Sequence, residues 1–327
     1  MRKNPYEFSN KQTGEIMTNS VGYQQVITTL TAVGRKVSEQ RFFQIPFADY
    51  VPVVMGNGSY QRQILNWRTF LKGDSFESGI ISNSSNNARV GLVDAAVDAL
   101  YQPIVNWAKA LEYDIFELEE SMAAGGIYSL IEMKERSRRK LWDLGLQKVA
   151  FLGIQDQYGL LNQASAYSDV STTLTNFIYT LSAADFNTFV GVLIEKYRDK
   201  AGRTVYPTHF IVPEKDWNGL ANWTSSEFPI KTKLQALEEA FKTVCMNPGF
   251  KILPCAYGNK ALNPDTTNKY ALYNYDETSL KMDIPLNLLN TAANSVDGFT
   301  WRNIGYGQFT GVLAQRPAEI YYLTHTA

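Results

Sequence analysis

The sequence predicts an α+β protein in which a polar N-terminal arm, a long β-hairpin and a long helix precede a compact α/β region. Three observations predict this class. Residues 1–40 are polar, rich in Asn and Gln and weakly periodic, which is typical of an extended arm. A polar tract, "GDSFESGIISNSSNNA", separates two β-like segments. A helical pattern of about 26 residues then follows.

The composition is that of a globular protein. Of the 327 residues, 45% are hydrophobic and 19% are charged, which leaves room for about two domains. A formal net charge of -1 does not indicate the basic surface that binds nucleic acid. No stretch approaches the ~20 apolar residues of a membrane span, and "MRKNPYEFSNKQTGEIMTNS" lacks the apolar core of a signal peptide. We therefore expect synthesis in the cytoplasm.

The β-like segments predict a hairpin that needs a partner. Asn57-Gly58 is a turn signal, and "SYQRQILNWRTF" alternates as a strand does. Two strands joined by a polar tip have little core of their own. The large apolar residues of that tip are Phe76, Ile80 and Ile81, and we predict that they dock on an adjacent subunit.

A helical region is predicted to begin near Asp114, an N-cap with Glu117 at capping-box spacing. It pauses at Gly125-Gly126, resumes at Ile127 and ends near Leu152. One apolar stripe at helical spacing contains Ile127, Leu130, Ile131, Leu141, Trp142, Val149 and Leu152. The corner "FLGIQDQYGLLNQ" ends the periodicity and turns an apolar Leu-Leu pair inward.

The middle of this helix is strongly basic, with Arg136, Arg138, Arg139 and Lys140. Two interpretations stay open at this point. The basic run is either a solvated face, or a set of salt bridges in which Arg136, Arg138 and Arg139 meet acids of an adjacent subunit.

The remaining chain predicts a compact α/β region. Ser182 caps a helix over "AADFNTFVGVLIEKYRDK", and further helices are predicted at "EKDWNGLANW" and "KTKLQALEEAFKTVC". Strands are predicted at "YPTHFIVP", "FKILPC", "KYALYNYD" and "SLKMDIPLNLL". The long aromatic C-terminal segment is β-like, and we expect it to return and pair with earlier strands.

The chain offers little catalytic chemistry. His209 and His325 have no Cys or His partner at metal-ligand spacing and no nucleophile motif nearby. Cys245 and Cys255 lie in apolar segments and are predicted to be buried thiols, not a disulfide. We therefore predict no catalytic, cofactor-binding or metal-binding residue.

Two motifs admit a second interpretation. In "GYGQFTG", Gly305, Gly307 and Gly311 look like a phosphate loop, but the strand-like sequel predicts glycines that allow close backbone approach. The acids of "YDIFELEE" open a helix, where they face the positive end of its dipole. These acids are Asp114, Glu117, Glu119 and Glu120, and a hydrolase or transferase that uses them is one alternative.

The order of the parts resembles that of the major capsid proteins of tailed bacteriophages, whose fold is named after a Hong Kong coliphage and is shared with encapsulins. The segments "ALEYDIFELEESMAAGG" and "RRKLWDLGLQKVAFLGIQDQYGLLN" are similar to the phage-capsid group once filed as a family of unknown function. The resemblance implies an arm at residues 1–50, and an extended loop with its lead-in strand at 51–112, with the hairpin at 59–96. It also implies a peripheral domain with the spine helix at 113–174 plus 296–327, and an axial domain at 175–295.

The resemblance also implies a function. The chain would be the non-enzymatic subunit that assembles, as hexamers and pentamers, into an icosahedral shell around double-stranded DNA. Scaffolding, portal and head-decoration proteins would be its other partners, and the virion its location. A shell protein of an encapsulin-type bacterial compartment is the alternative that shares the fold.

Overall fold

The computed structural model of the chain describes residues 44–73, 93–123, 130–168, 174–222, 231–295 and 297–325. The chain divides into two units. Unit 1 contains Lys109–Lys140 and Asn290–Gly305, and unit 2 contains Ile45–Ala108, Leu141–Leu289 and Tyr306–Ala327. Nearly all of the predicted arm, the hairpin tip and the glycine pause at Gly125-Gly126 lie outside the described residues.

The predicted hairpin is present in unit 2. Strand β2 (Gln63–Gly73) pairs antiparallel with β3 (Val93–Pro103) along its whole length. Strand β1 (Val53–Met55) precedes a turn in which Gly58 has a φ of +78°, which confirms the turn predicted at Asn57-Gly58. That turn does not join two paired strands, however, because β1 belongs to a different sheet.

Strand β4 (Val105–Asp114) leads into helix α1 (Ile115–Ala123). The predicted cap is confirmed, since the Glu117 backbone N–H donates to Asp114 Oδ1 at 2.7 Å. Helix α2 (Leu130–Leu152) ends where the sequence predicts.

The apolar stripe predicted for α2 is partly wrong. Trp142, Leu146 and Val149 are buried, but Leu141 is exposed. The buried residues follow the i, i+4, i+7 spacing of a single helical face. Leu141 precedes that face by one residue, so its side chain points away from it.

The corner after α2 is built by two glycines and an asparagine. Gly153 has a φ of +75°, and a Cβ there would lie 2.0 Å from the Gln157 carbonyl oxygen. Asn162 Oδ1 accepts from the Gly159 N–H at 2.7 Å, and Leu160 and Leu161 are buried. The inward turn of the Leu-Leu pair is therefore confirmed.

This corner also holds the C-terminal segment in place. The Gly311 N–H donates to Gln157 Oε1 at 2.9 Å, and the Val312 N–H donates to the Tyr158 carbonyl at 2.7 Å. Gln163 Nε2 donates to the Val312 carbonyl at 2.8 Å. The corner therefore anchors a segment about 150 residues further along the chain through directional hydrogen bonds.

The α/β region is organised around a five-stranded sheet with the order β5-β14-β8-β6-β7. Its strands are β5 (Tyr167–Ser168), β6 (His209–Pro213), β7 (Lys251–Cys255), β8 (Asn268–Tyr273) and β14 (Ile320–His325). Helices α3 (Ala183–Lys200), α4 (Glu214–Asn222) and α5 (Lys233–Val244) confirm the three predicted helices. Ser182 caps α3 as predicted, accepting from the Asp185 N–H at 3.3 Å.

Both faces of this sheet are buried, in two apolar cores. Tyr270 and Leu272 of β8 belong to the core that contains Phe186, Leu237 and Phe241. The alternate residues Ala271 and Tyr273 belong to the other core. This alternation is the two-residue period of a strand, with apolar residues on both sides.

Two smaller sheets complete the described fold. One has the order β1-β9-β13, and the other the order β10-β12-β11 with β4 also paired to β12. The additional strands are β9 (Leu280–Ile284), β10 (Leu286–Asn290), β11 (Asn294–Ser295), β12 (Thr300–Phe309) and β13 (Val312–Ala314). The single strand predicted at "SLKMDIPLNLL" is wrong, because Pro285 lies between β9 and β10 in two different sheets.

The predicted return of the C-terminal segment to pair with an earlier strand is confirmed. Strand β14 pairs antiparallel with β8 from Ile320–Tyr273 to His325–Asn268. This pairing places the last strand beside a strand of the predicted axial domain, and the assignment of residues 296–327 to a peripheral domain stays a prediction. The α+β class itself is confirmed.

Candidate assembly surfaces

The hairpin has one buried and one exposed face. At its base, Ile64, Asn66 and Gln102 are buried. The neighbouring residues along the same strands point to the opposite face, where the Trp67 and Tyr101 side chains are each 63% exposed. A two-stranded ribbon is marginally stable alone, so this exposed apolar face is a surface without a partner in the described part of its own chain.

The register shows that this face is continuous. Leu65 lies opposite Tyr101, Trp67 opposite Ala99, and Thr69 opposite Val97. Directly opposed residues of an antiparallel pair share a face, so their apolar side chains form one strip. We call the strip formed by Leu65, Trp67, Val97 and Tyr101 the shaft face.

Sequence reasoning missed the shaft face and named the tip. Phe76, Ile80 and Ile81 lie outside the described residues, so their docking on another subunit stays a prediction. The signal for the shaft face was present in "ILNWRTF", where Leu65 and Trp67 alternate with Asn66 and Arg68. Choosing the exposed face, however, requires knowledge of which side packs on the subunit.

The three arginines of the basic run lie in different environments. Arg136 is exposed and binds Glu132 one turn earlier at 2.6 Å, and Arg139 is exposed. Arg138 is only 4% exposed, and its Nη1 donates to Asn303 Oδ1 at 2.8 Å. The predicted pairing across subunits stays a prediction for Arg136 and Arg139, whereas Arg138 would first have to leave Asn303.

The glycines of "GYGQFTG" allow side chains of α2 to lie close to β12. A Cβ at Gly305 would lie 2.7 Å from Arg138 Nε, and one at Gly307 would lie 2.6 Å from the Trp142 ring. Both glycines lie within strand β12. The prediction of a glycine strand that permits close approach is therefore confirmed.

The acids of "YDIFELEE" are engaged structurally where the structure describes them. Asp114 caps α1, and Glu117 binds Lys134 Nζ at 2.7 Å. Both roles stabilise local structure and leave neither carboxylate isolated in a cleft.

The histidines and cysteines are buried in the subunit. Burial and the nearby Lys251 charge lower the pKa of His209 to about 4, and the His325 ring nitrogen lies 3.2 Å from the Thr175 carbonyl. Cys245 and Cys255 are free thiols, as predicted. Burial raises the pKa of Cys245 to about 11 and that of Cys255 to about 12, so both stay in the unreactive thiol form.

Two classes of feature are missing from the described part of the chain. No group of three or more His, Cys, Asp and Glu side chains is placed there to share a metal ion. In the same residues, no helix is both long and apolar enough to cross a membrane.

The fold is that of phage capsid subunits. The chain aligns with a structure from the capsid of Myoviridae phage XM1 at a TM-score of 0.75 and 16% identity, covering 95% of this chain and 99% of that one. It aligns with a structure from Gordonia phage Cozz at a TM-score of 0.56 and 12% identity, covering 95% and 96%. A structure from the capsid of an empty GTA particle gives 0.54 and 11%, covering 95% and 100%.

The family assignment comes from the sequence itself. The profile of the family described as "Major capsid protein" matches residues 77–325, about three quarters of the chain, and the chain belongs to that family. No curated protein matches the chain significantly. The chain is therefore a structural capsid subunit of the virion.

Proposed function

We propose that the shell is icosahedral, that it is built from hexamers and pentamers of this chain, and that it encloses the double-stranded DNA genome of a tailed bacteriophage. The near-neutral charge of the chain supports this role, because a shell must not clamp a genome that moves during packaging. The observation that carries the proposal is the shaft face, a strip of exposed apolar side chains on a hairpin with no core of its own.

The shaft face fits a contact between subunits. Burying one large apolar side chain stabilises a contact by about 1.5–3 kcal/mol, so several residues of the strip suffice for a useful interaction. A heterologous contact of this kind, repeated from subunit to subunit, closes into rings. In the proposal, the tip residues Phe76, Ile80 and Ile81 extend the same contact, and the exposed Arg136 and Arg139 meet acids of a neighbour.

The remaining parts of the proposal concern partners and place. We propose that scaffolding, portal and head-decoration proteins join the shell, and that packaged DNA lies near it without a specific contact. The subunit would be made in the cytoplasm of the host bacterium. It would have no enzymatic activity, which fits the structural roles of Asp114 and Glu117.

Electron microscopy of the purified chain, alone and with its phage partners, tests the proposal. We expect closed icosahedral particles from the parent chain. Leu65→Asp, on the shaft face, should abolish or weaken them, because it places a charge where apolar surface is buried. Leu262→Asp is the matched control, since Leu262 is 50% exposed against 39% for Leu65 and lies off the hairpin.

Each outcome has a defined meaning. Circular dichroism should show that both variants fold as the parent does. Normal particles from Leu65→Asp would reject the shaft face as an assembly surface. If the parent chain stays a discrete monomer both alone and with its phage partners, the shell itself is rejected. Particles that hold a cargo enzyme in place of DNA would favour the encapsulin-type alternative.

A further inference from the structure

The buried side of the hairpin base contacts the subunit through polar groups. Gln102 is 4% exposed, and its Nε2 donates to Thr310 Oγ1 at 2.9 Å and to the Gly311 carbonyl at 2.8 Å. Arg68 on the partner strand donates through Nη1 to the Gln315 carbonyl at 3.3 Å and binds Asp98 at 2.8 Å. Both strands of the hairpin are therefore attached to the segment that contains β13.

The attachment continues into the next strand. Thr310 Oγ1 accepts from the Asp283 N–H at 3.1 Å, and the Thr310 N–H donates to the Asp283 carbonyl at 3.0 Å. Asp283 is fully buried in β9, with Lys281 Nζ 3.4 Å from its carboxylate. A chain of hydrogen bonds thus runs from Gln102 through Thr310 to the backbone of β9 at Asp283, whose side chain forms a buried ion pair with Lys281.

These buried polar contacts do not make the subunit as stable as apolar contacts would. Within the described residues, Asn66 Nδ2, Arg68 Nε and Gln102 Oε1 on the hairpin are buried without a protein hydrogen-bond partner, as is Ser279 Oγ. The Asp283 carboxylate has only its ion pair with Lys281. Buried polar atoms of this kind cost free energy, and apolar residues of the same size would remove that cost. Polar contacts instead fix an orientation, because hydrogen bonds weaken steeply when their angle changes.

The orientation of the hairpin base matters because a small tilt there moves the far end of a long hairpin by several ångströms. Each strand has 11 residues. At about 3.4 Å per residue the shaft is about 35 Å long, and a tilt of about 10° at its base moves the far end by about 6 Å. An apolar base could slide and tilt at little cost, whereas a contact between subunits requires its side chains in register.

We infer that the buried polar contacts centred on Gln102 set the angle at which the hairpin leaves the subunit. Gln102 and Arg68 are positioning residues in this inference, and neither contacts the neighbouring subunit. The effect of this angle on assembly rests on the function proposed above. The angle itself is a property of the single subunit and is measured separately.

Spin labels report the angle directly. One label is placed at Asp94→Cys, which is exposed near the far end of β3, and the other at Val192→Cys, which is exposed on α3. The native cysteines are buried with raised pKa values, so the chain without added cysteines should take up no label. The labelled chain is diluted with unlabelled chain so that only distances within one subunit are recorded.

Gln102→Leu is compared with Gln147→Leu. Gln147 is 2% exposed and also makes two side-chain hydrogen bonds, to the Ile45 N–H and to the Tyr257 hydroxyl, but it lies away from the hairpin. The label at Asp94 lies eight residues from Gln102, about 27 Å at about 3.4 Å per residue. We expect Gln102→Leu to shift or broaden the distance by about 5 Å for a tilt of about 10°, and Gln147→Leu to leave it unchanged. Arg68→Met, at a half-exposed position where folding is less at risk, should produce a smaller change.

The results separate the two proposals. An unchanged distance in both Gln102→Leu and Arg68→Met would overturn the inference, and so would an equal change in Gln147→Leu. A changed distance with loss of particles in Gln102→Leu, but not in Gln147→Leu, would support the inference and its link to assembly. A changed distance with normal particles would confirm the positioning and overturn only its role in assembly.

Discussion

His209 couples the protonation of one side chain to folding. It begins β6, where its ring lies 4.7 Å from the ring of Tyr275 and its Nδ1 lies 3.0 Å from Thr208 Oγ1. Lys251 lies opposite it in β7. Burial, together with this lysine charge, lowers the pKa of His209 to about 4, while the nearby Asp49 opposes the shift.

The sign of the pH dependence follows from this lowered pKa. In the unfolded chain His209 binds a proton below its ordinary pKa of about 6.5, whereas in the folded chain it binds one only near pH 4. The unfolded state therefore binds more protons between these values, and stability falls as the pH is lowered through that window. Above pH 6.5 the contribution is constant.

We predict that His209→Phe reduces this loss of stability. The wild-type free energy of unfolding should fall by up to about 3 kcal/mol more than that of the variant between pH 7 and pH 4. Denaturant titrations at a series of pH values measure the difference, and phenylalanine retains the ring between Tyr273 and Tyr275. If the free energy of unfolding falls equally with pH in the two proteins, another group controls the loss of stability at low pH.

At the scale of elements, helix α2 has two different surfaces. Trp142 lies in the core, with its ring 5.3 Å from Trp107 and 5.9 Å from Phe309. The exposed Arg136 and Arg139 precede that buried part by one to two turns. Arg138, between them, is buried and bound to Asn303, so Arg136 and Arg139 are the two that a neighbouring subunit can reach without rearrangement.

We predict that Arg136→Glu/Arg139→Glu impairs assembly and leaves the subunit folded. Within the helix, Arg136→Glu replaces one exposed ion pair with a repulsion, and the lost attraction and the added repulsion together cost only about 0.5–1 kcal/mol. A buried pair with a neighbour, once broken, costs about 3–5 kcal/mol. Particle yield after purification should therefore fall while the melting temperature stays close to that of the parent.

Arg203→Glu is the control for this double change. Arg203 makes the same kind of exposed i, i+4 pair, with Asp199 at 2.8 Å. It should fold and assemble as the parent does. A double variant that assembles equally well would establish the basic run as a solvated face.

For the whole molecule, the features that the sequence predicts well are local. The Asp114 and Ser182 caps, the end of α2 and the helix over Ala183–Lys200 depend on residues within a few positions of one another. The Leu-Leu turn is local too, since Gly153 and Asn162 close it within ten residues of α2. The same order of local parts is what identifies the fold class.

The features that the sequence could not predict depend on distant contacts. Strand β1 pairs with β9, more than 200 positions away, and the last strand joins β8 in the five-stranded sheet. Arg138 is buried because Asn303 and Gly305 approach it from another part of the chain. The shaft face follows the same rule, because the packing of Gln102 and Arg68 on a segment more than 200 positions away decides which side of the hairpin is exposed.

Removing the hairpin tip tests whether the tip contributes to assembly of the shell and not to folding of the subunit. We predict that replacing residues 74–92 with a short Gly/Ser turn leaves a folded, soluble subunit, because Gly73 and Val93 are already paired and the described cores contain no residue of the hairpin beyond its base. Circular dichroism and the melting temperature should stay close to those of the parent. Particles should fail to form or be fragile, since the change removes Phe76, Ile80 and Ile81 from every copy of a contact that a shell repeats. If the shortened chain unfolds instead, the tip belongs to the core of its own subunit, and the assignment of these three residues to a neighbouring subunit is wrong.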